Sequence, residues 1–298
     1  MENYDRFREV QAWIDACEDD FSARLNELAT QILTSEGARI LRLSGPTCSG
    51  KTTLANLLKA RFKEAGKNLH LISIDDFFYD KEVLHQRKNP NGTDTVDYES
   101  VHTLDLDTLS RFVNELAKTE VCHCPHFDFR LGKRTGYREI RCGAKDIFIF
   151  EGIQVLYPEI QALLSAYPSI GIYIEPKSVI IDKEEVFQPN EIRFLRRIVR
   201  DFNFRGTCPE ETMNMWDNVR RNEETNIFPF AHQCELQIDS TMPYEIGILK
   251  PYLQKLLPTI SEESKFRDTA DRILKQLEKI EPLSDELLPE DSLYKEFV

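Results

Sequence analysis

A glycine-rich stretch at residues 45–52 constrains this chain more than any other feature. Its sequence, Gly45-Pro46-Thr47-Cys48-Ser49-Gly50-Lys51-Thr52, matches the pattern G-x-x-x-x-G-K-[ST] at every fixed position. The apolar run before it predicts a strand, and Leu54, Leu57 and Leu58 after it recur at helical spacing. A strand, a glycine loop and a helix in this order let backbone N–H groups curl around phosphate oxygens. The stretch therefore predicts a phosphate-binding loop.

The residues of this loop have predicted roles in binding a nucleotide. The N-terminus of the following helix adds partial positive charge. Lys51 is placed to neutralise the outer phosphates, and the Thr52 hydroxyl is a predicted Mg²⁺ ligand. Cys48 is interpreted as a small loop-filling residue, with a reactive thiol as the alternative. The predicted nucleotide-binding residues of the loop are Gly45, Pro46, Thr47, Cys48, Ser49, Gly50, Lys51, Thr52 and Thr53.

The acidic composition narrows the classes of partner. A net charge of −13 argues against a nucleic acid held by bulk electrostatics, and the chain has no long basic stripe. No apolar run approaches the ~20 residues of a membrane span, and no signal peptide opens the chain. Seven scattered cysteines indicate reduced thiols in a cytoplasmic protein. Cys122-His123-Cys124 with nearby His126 fits an alternating strand better than a metal site.

Strand and helix patterns alternate over most of the chain. Helical periodicity is found at residues 105–118, 158–166, 190–202, 209–224 and 244–257, and buried-strand patterns at 69–74, 146–151, 170–175 and 235–238. This alternation predicts an α/β fold in which a parallel sheet of the P-loop NTPase type is flanked by helices. Residues 121–129 and 137–142 predict a small β-hairpin around a turn at Gly132, which would form the acceptor site.

Helical extensions are predicted at both ends of a main domain spanning residues 37–258, which contains the phosphate-binding loop. Residues 1–36 carry an apolar stripe at helical spacing. This stripe either packs on the main domain or forms a contact in a homo-oligomer. Residues 259–298 predict an amphipathic helix at 266–280, followed by a loose acidic tail at 281–298.

Two acidic residues lie where parallel strands are expected to end. Glu151 ends the strand at 146–151 and is a predicted metal ligand, because ligands collect at the carboxyl edge of such sheets. Asp75 follows the strand at 69–74 and would face the same crevice, so it is the predicted general base, with a helix N-cap as the alternative. For the adjacent Asp76 the preference is reversed, and a helix N-cap is favoured.

Arginines are concentrated on the helix predicted at residues 190–202. Arg193, Arg196, Arg197 and Arg200 share one face, and apolar side chains, Phe202 among them, share the other. The favoured interpretation is a lid of guanidinium groups over nucleotide phosphates, and the alternative is a solvated face. The predicted lid cations are Arg197, Arg200 and Arg205.

These motifs together resemble the uridine kinase and phosphoribulokinase family of P-loop kinases over residues 39–251. The resemblance rests on the loop, on the sequences at 73–78, 125–129 and 150–153, and on the arginines up to Arg205-Gly206. It implies ATP and Mg²⁺ as cofactors, with ATP preferred over GTP. It implies a general base at Asp75, metal assistance by Glu151, and closure over ATP by Arg197, Arg200 and Arg205. It also implies that Asp97 contacts the ribose hydroxyls of an acceptor nucleoside.

The sequence differs from uridine kinases at positions that recognise the acceptor nucleoside. Gly132 stands at the position of a base-reading histidine, Thr207 at that of an arginine, and Met215 near that of a glutamine. A site that loses such groups loses much discrimination. Basic residues at Arg130, Lys133 and Arg134 suit an acceptor that already carries an anion, or form a solvated turn. The predicted acceptor-binding residues are Asp97, Phe78, Phe127 and Arg134.

Three classes of function are compared on these grounds. The favoured one is an ATP- and Mg²⁺-dependent kinase of a small hydroxyl-bearing molecule, with a nucleoside as the preferred acceptor and a sugar phosphate or pantothenate-like alcohol as the runner-up. The second is a nucleotide-binding regulator that has lost the acceptor. It is disfavoured because binding alone does not need Asp75, Glu151 and the arginines. A nucleic-acid module is disfavoured by the charge.

Overall fold

A computed structural model describes residues 2–35, 37–86, 100–116 and 120–298, with side chains from residue 6 onward. The strands are β1 (Ile40–Ser44), β2 (Leu69–Ser73), β3 (Val121–Asp128), β4 (Lys133–Arg141), β5 (Ile147–Glu151), β6 (Ser169–Glu175), β7 (Ile180–Asp182), β8 (Glu185–Phe187) and β9 (Leu236–Asp239). The helices are α1 (Glu2–Thr34), α2 (Lys51–Glu64), α3 (Lys81–Gln86), α4 (Leu106–Glu115), α5 (Pro158–Leu164), α6 (Pro189–Arg205), α7 (Pro209–Asn226), α8 (Phe228–Ala231), α9 (Glu245–Leu256) and α10 (Arg267–Glu278).

Five strands form a parallel sheet in the order β2-β5-β1-β6-β9. Since every strand runs the same way, their carboxyl ends meet at one edge. In this register Glu151 lies opposite both Leu43 of β1 and Ser73 of β2. The predicted α/β fold with a parallel sheet flanked by helices is therefore confirmed.

Both faces of the sheet are covered by apolar side chains. On β1, Leu41 and Leu43 pack into the layer formed by α1, α2, α6 and α9, whereas Ile40 packs into the opposite layer. On β5, Phe148 and Phe150 join that opposite layer, which includes α4 and α5. Burial on both faces explains why these strands read as continuous apolar runs in the sequence.

The predicted hairpin is present and is built by β3 and β4, which pair antiparallel with an irregularity between His126 and Phe127. The turn residue Gly132 has a φ of 63°, a left-handed conformation that glycine adopts without strain. The short antiparallel pair of β7 and β8 was not predicted, because each strand has only three residues. Among the described residues, no helix is long and apolar enough to cross a membrane.

The N-terminal helix packs on the main domain. Ile14, Phe21 and Leu25 of α1 are at most 3% exposed and share one core with Leu54 and Leu58 of α2. Of the two interpretations of its apolar stripe, packing within the chain accounts for these residues.

The prediction of a loose acidic tail at residues 281–298 is wrong. Its apolar residues are buried in the same core as α1 and α2, and Leu293, Tyr294 and Phe297 are 0% exposed. Apolar side chains interspersed with acidic ones fix this segment, although they follow no regular helical or strand period. The division of the chain at residues 36 and 258 stays a prediction.

Candidate active site

The glycine-rich loop connects β1 to α2 at the carboxyl edge of the sheet. A Cβ at Gly45 would lie 2.0 Å from the Ile174 carbonyl oxygen, so only glycine fits there. Gly50 caps α2 with a φ of 92°, in the left-handed region. Lys51 Nζ donates to the Gly45 and Pro46 carbonyl oxygens at 2.9 and 2.8 Å, and burial lowers the pKa of this lysine.

Hydrogen-bond donors of this loop are available to bind negatively charged groups. The buried Ser49 Oγ has no hydrogen-bond partner among the described residues. The Thr47 N–H donates to Glu223 Oε1 at 3.2 Å, and the Thr53 N–H lies 3.4 Å from Glu296 Oε2. Backbone and hydroxyl donors that face carboxylate oxygens fit the phosphate groups of a nucleotide equally well.

Two predicted site residues, Glu151 and Asp75, meet at this edge. Ser73 Oγ donates to Glu151 Oε1 at 3.0 Å. The pKa of Glu151 is raised to about 7, chiefly by removal of its carboxylate from solvent and then by repulsion from Asp75, against attraction from Lys51. Glu151 therefore lies close enough to Asp75 and to Lys51 to interact with the charges of both.

The oxygen-rich surroundings of Glu151 fit a magnesium ion. Mg²⁺ prefers oxygen ligands and is usually held by one or two carboxylates together with substrate phosphates and water. Thr52 in the first turn of α2 and Glu151 would supply such ligands, and a divalent cation would relieve the repulsion between Glu151 and Asp75. No group of three or more acidic, histidine or cysteine residues suited to a metal occurs in the described part of the chain.

Asp76 does not cap a helix, contrary to the favoured interpretation. It lies inside a short 3₁₀ helix (Ile74–Phe77) whose N-cap is Ser73. Its Oδ1 accepts the Phe127 N–H at 3.1 Å, and its Oδ2 lies 3.8 Å from Arg138 Nη2. Asp76 thus joins the sheet edge to the β-hairpin, a tertiary role that a local capping pattern does not reveal.

The arginine stripe of α6 is buried, so the alternative of a solvated face is wrong. Arg193 binds Glu223 at 2.6 and 2.8 Å, and both side chains are 1% exposed. Arg196 binds Glu245 at 2.6 and 2.9 Å. Both arginines also donate to carbonyl oxygens of the phosphate loop, at Thr47 and Cys48 respectively. These two cations hold the loop in place and are neutralised by their partners.

The apolar face predicted for this helix also needs one correction. Phe202 was placed with the buried side chains, but it is 48% exposed. It lies in the last turn of α6, close to the Gly206 cap, where the helix leaves the core.

The three predicted lid cations gather around one carboxylate, Asp201. Arg200 Nη2 lies 2.6 Å from Asp201 Oδ1, Arg197 Nε lies 3.2 Å from Oδ2, and Arg205 Nε lies 3.6 Å from Oδ1. Three cations against one anion leave two positive charges in excess. Arg200 also lowers the pKa of Lys51 through its charge, so this cluster acts on the phosphate loop.

The contacts of Asp201 predict a specific dependence of stability on pH. Burial alone would raise the pKa of Asp201, but the charges of Arg200 and Arg197 outweigh it and hold the pKa below its usual range. The resulting stabilisation is present above the unfolded value of about 3.9 and is lost as the pH falls through the lower folded value. We expect Asp201→Asn to lower the free energy of unfolding at pH 7 and to change it much less near pH 3. Urea unfolding at the two pH values measures this, and an equal loss at both would contradict it.

The predicted acceptor-binding residues Phe78, Phe127 and Arg134 converge where the sheet edge meets the hairpin. The rings of Phe78 and Phe127 pack edge to face with centroids 5.7 Å apart. Phe129, which is 66% exposed, packs on both rings. Arg134 donates to Asp105 Oδ2 at 2.9 Å and to the Phe78 carbonyl oxygen at 3.0 Å. The Arg134 guanidinium group therefore ties the hairpin to the edge of the sheet. The fourth predicted acceptor-binding residue, Asp97, lies outside the described residues.

Comparison with known proteins identifies the family of this chain. The model of the phosphoribulokinase/uridine kinase family matches residues 40–246, which is most of the chain. The chain belongs to this family. Its members are kinases, so the protein is a P-loop phosphotransferase.

Similar proteins are uridine kinases from two bacteria. That of Clostridium novyi is 28% identical over 184 residues, covering 60% of this chain and 76% of its own. That of Brevibacillus brevis is 26% identical over 183 residues, covering 61% and 75%. The solved structure of the YGR205w protein superposes with a TM-score of 0.51 at 17% identity, covering 76% of this chain and 94% of that protein, and supports the fold.

The three residues at which the sequence departs from uridine kinases lie in different parts of the structure. Gly132 sits in the hairpin turn, where its carbonyl oxygen accepts the Lys81 N–H at 2.7 Å. Thr207 follows α6, and Met215 on α7 is 39% exposed.

Four carboxylates that bind the loop or the arginines were not singled out from the sequence: Glu223, Glu245, Asp201 and Glu296. Only Asp201 gave a local signal, because it lies one and four residues from two of its arginine partners.

Proposed function

We propose that this kinase transfers the γ-phosphoryl group of ATP to a hydroxyl of a small acceptor, with a nucleoside as the favoured class. The proposal is carried by one observation, the convergence of Lys51, Glu151 and Asp75 at the carboxyl edge of the sheet. Phosphoryl transfer needs a phosphate cradle, a metal ligand, a proton acceptor and cations, and each has a candidate there.

In the proposed reaction, Asp75 takes the proton of the acceptor hydroxyl while its oxygen attacks the γ-phosphorus and the bond to ADP breaks. Thr52 and Glu151 would hold Mg²⁺, which neutralises charge on the β- and γ-phosphates when bound. Lys51 keeps the γ-phosphate in line, and Arg197, Arg200 and Arg205 contribute their excess positive charge to the transferring group. Phe78 and Phe127, which are almost fully buried, would shape the acceptor site from below by supporting the exposed ring of Phe129.

The acceptor class is proposed from the neighbourhood of the hairpin. The exposed ring of Phe129, which packs on the buried rings of Phe78 and Phe127, suits a flat base. A sugar phosphate is the alternative, favoured by the exposed Arg130 and Lys133 beside the same turn. Arg134 contributes less to that alternative, because Asp105 already pairs with it.

ADP release with a panel of acceptors tests the proposed function. Purified protein with Mg-ATP is assayed against uridine, cytidine, other nucleosides, ribulose 5-phosphate and pantothenate. We expect turnover with a nucleoside. In Lys51→Met the turnover rate should fall by about 10²–10³-fold, because the positive charge that stabilises the transferring phosphate is removed. Exposed Lys59→Met on α2 is the control and should match the wild type. Binding of ATP without turnover on any acceptor would favour the second candidate, a nucleotide-binding regulator.

A further inference from the structure

The last eighteen residues, 281–298, form what we call the C-terminal strap, and this strap reaches the phosphate loop. Leu293 of the strap lies directly beside Gly50, where an added Cβ would come within 2.8 Å of both Leu293 methyl carbons. Leu293 itself is 0% exposed. The strap is thus seated on the start of α2, the helix whose N-terminus is proposed to bind phosphate.

One strap residue, Glu296, places a negative charge on the donors of that helix. Its Oε2 accepts the Thr53 hydroxyl at 2.8 Å and lies 3.4 Å from the Thr53 N–H. The free N–H groups in the first turn of a helix are a general site for anions. Thr53 is also one of the predicted nucleotide-binding residues, so the carboxylate lies where a nucleotide phosphate is expected.

The same carboxylate acts on the other groups of the site. Burial lowers the pKa of Lys51 and raises that of Glu151, and the charge of Glu296 opposes the first effect and adds to the second. The Glu296 carboxylate therefore lies within electrostatic range of the loop lysine, a cation that a bound triphosphate would also need. A phosphate group and Glu296 would therefore repel each other if both were present.

The strap is held by anchors separate from Glu296. Tyr294 is 0% exposed, and its hydroxyl donates to Glu245 Oε2 at 3.0 Å. The Arg196 guanidinium lies over the rings of Tyr294 and Phe297 at 5.4 and 4.9 Å. Glu296 itself is only half-buried. The anchors keep the strap near the loop, so that Glu296 acts as a tethered competitor at high effective concentration.

We propose that the C-terminal strap is an autoinhibitory segment in which Glu296 competes with nucleotide phosphate for the start of α2. This inference rests on the proposed nucleotide site. When only the strap-open fraction of molecules binds ATP, the apparent affinity is lower by that fraction. Displacing Glu296 then couples nucleotide binding to movement of the chain end.

The decisive experiment is calorimetric titration of Mg²⁺ with a non-hydrolysable ATP analogue into the protein and two variants. Glu296→Gln removes the competing charge and leaves the anchors Tyr294 and Phe297 intact. We expect it to bind the analogue about five- to fiftyfold more tightly than the wild type. Glu290→Gln is the matched control, because it is the same change at an exposed position of the strap, and it should bind as the wild type does.

A second measurement follows the strap itself. Hydrogen exchange of residues 292–298 should become faster when the wild-type protein is saturated with the analogue, because the Thr53–Glu296 contact is lost. In Glu296→Gln these residues should already exchange faster before the analogue is added. Circular dichroism and thermal melting verify that both variants are folded.

Each other outcome overturns the proposal. Equal affinity of Glu296→Gln and the wild type means that Glu296 does not compete, and weaker binding means that it assists the metal or the nucleotide. Tighter binding by Glu290→Gln to the same degree means a general charge effect. Binding by none of the proteins overturns the nucleotide site as well, so failure of the strap alone is recognised by wild-type binding without a change in the variant.

Discussion

Replacing Asp75 with asparagine is expected to reduce phosphoryl transfer by about 10²–10⁴-fold while leaving ATP binding nearly unchanged. The substitution keeps the size and hydrogen-bonding shape of the side chain but removes the proposed proton acceptor. Asp75 is the second residue of the 3₁₀ helix Ile74–Phe77 that follows β2, and it lies two residues after Ser73, whose hydroxyl donates to Glu151. The loss should therefore appear in kcat under saturating acceptor, measured by ADP release, with the nucleotide affinity measured by calorimetry.

A second readout separates catalysis from structure at this position. Burial is the main cause of the raised pKa of Glu151 and the Asp75 charge is the second, so removing that charge should lower this pKa from about 7 while burial still holds it above the ordinary glutamate value. NMR titration of a sample labelled at glutamate carboxyl carbons follows this shift. A misfolded variant would not combine normal ATP binding with such a defined change.

The neighbouring carboxylate supplies the matched control. Asp76→Asn makes the same change one residue away, where the side chain accepts the Phe127 N–H of the hairpin. We expect it to weaken acceptor binding and to leave kcat within about tenfold of the wild type, because an amide oxygen still accepts that bond. Full turnover in Asp75→Asn, or an equally severe loss of kcat in both variants, would contradict the assignment of Asp75 as the base.

The parts of the site that follow from local signals were predictable from the sequence. The glycine pattern, the apolar strand before it and the leucines after it are contiguous, so they predict the loop and its helix. Asp75 and Glu151 follow apolar strands, and parallel strands end at a common edge. Whether these two carboxylates lie close together therefore depends only on the order of the strands in the sheet. The alternation of strands and helices along the chain restricts the possible orders.

The parts that depend on distant partners were not predictable. A stripe of arginines on a helix has the same pattern whether it faces water or buried carboxylates. The partners Glu223 and Glu245 lie 30 and 49 positions away from Arg193 and Arg196. The prediction of a loose tail at the strap failed for the same reason. The partners of its three fully buried side chains are distant in sequence, and its acidic composition suggested exposure to solvent.

The buried pair of Arg196 and Glu245 is expected to be critical for stability. Both side chains are 0% exposed, and two short hydrogen bonds join them. Arg196→Leu would leave the Glu245 carboxylate buried without its cation, which typically costs about 3–5 kcal/mol. Urea unfolding followed by circular dichroism measures the change in the free energy of unfolding.

An exposed pair provides the control for this prediction. Arg272 lies 2.9 Å from Glu191, joining α10 to α6, and its side chain is 57% exposed. Arg272→Leu removes the same type of charge and the same type of contact in water, where such pairs contribute about 0–1 kcal/mol. Similar losses in the two variants would contradict a special role for the buried pair.

The double variant Arg196→Leu/Glu245→Leu separates the buried charge from the other contacts of Arg196. If the unpaired carboxylate causes most of the loss, removing it as well should restore much of the stability. Recovery should stop short of the wild type, because Arg196 also donates to the Cys48 and Ser240 carbonyl oxygens. Since Cys48 belongs to the phosphate loop, the stable double variant should still bind ATP more weakly. Full recovery of both stability and ATP affinity would show that Arg196 does not support the loop.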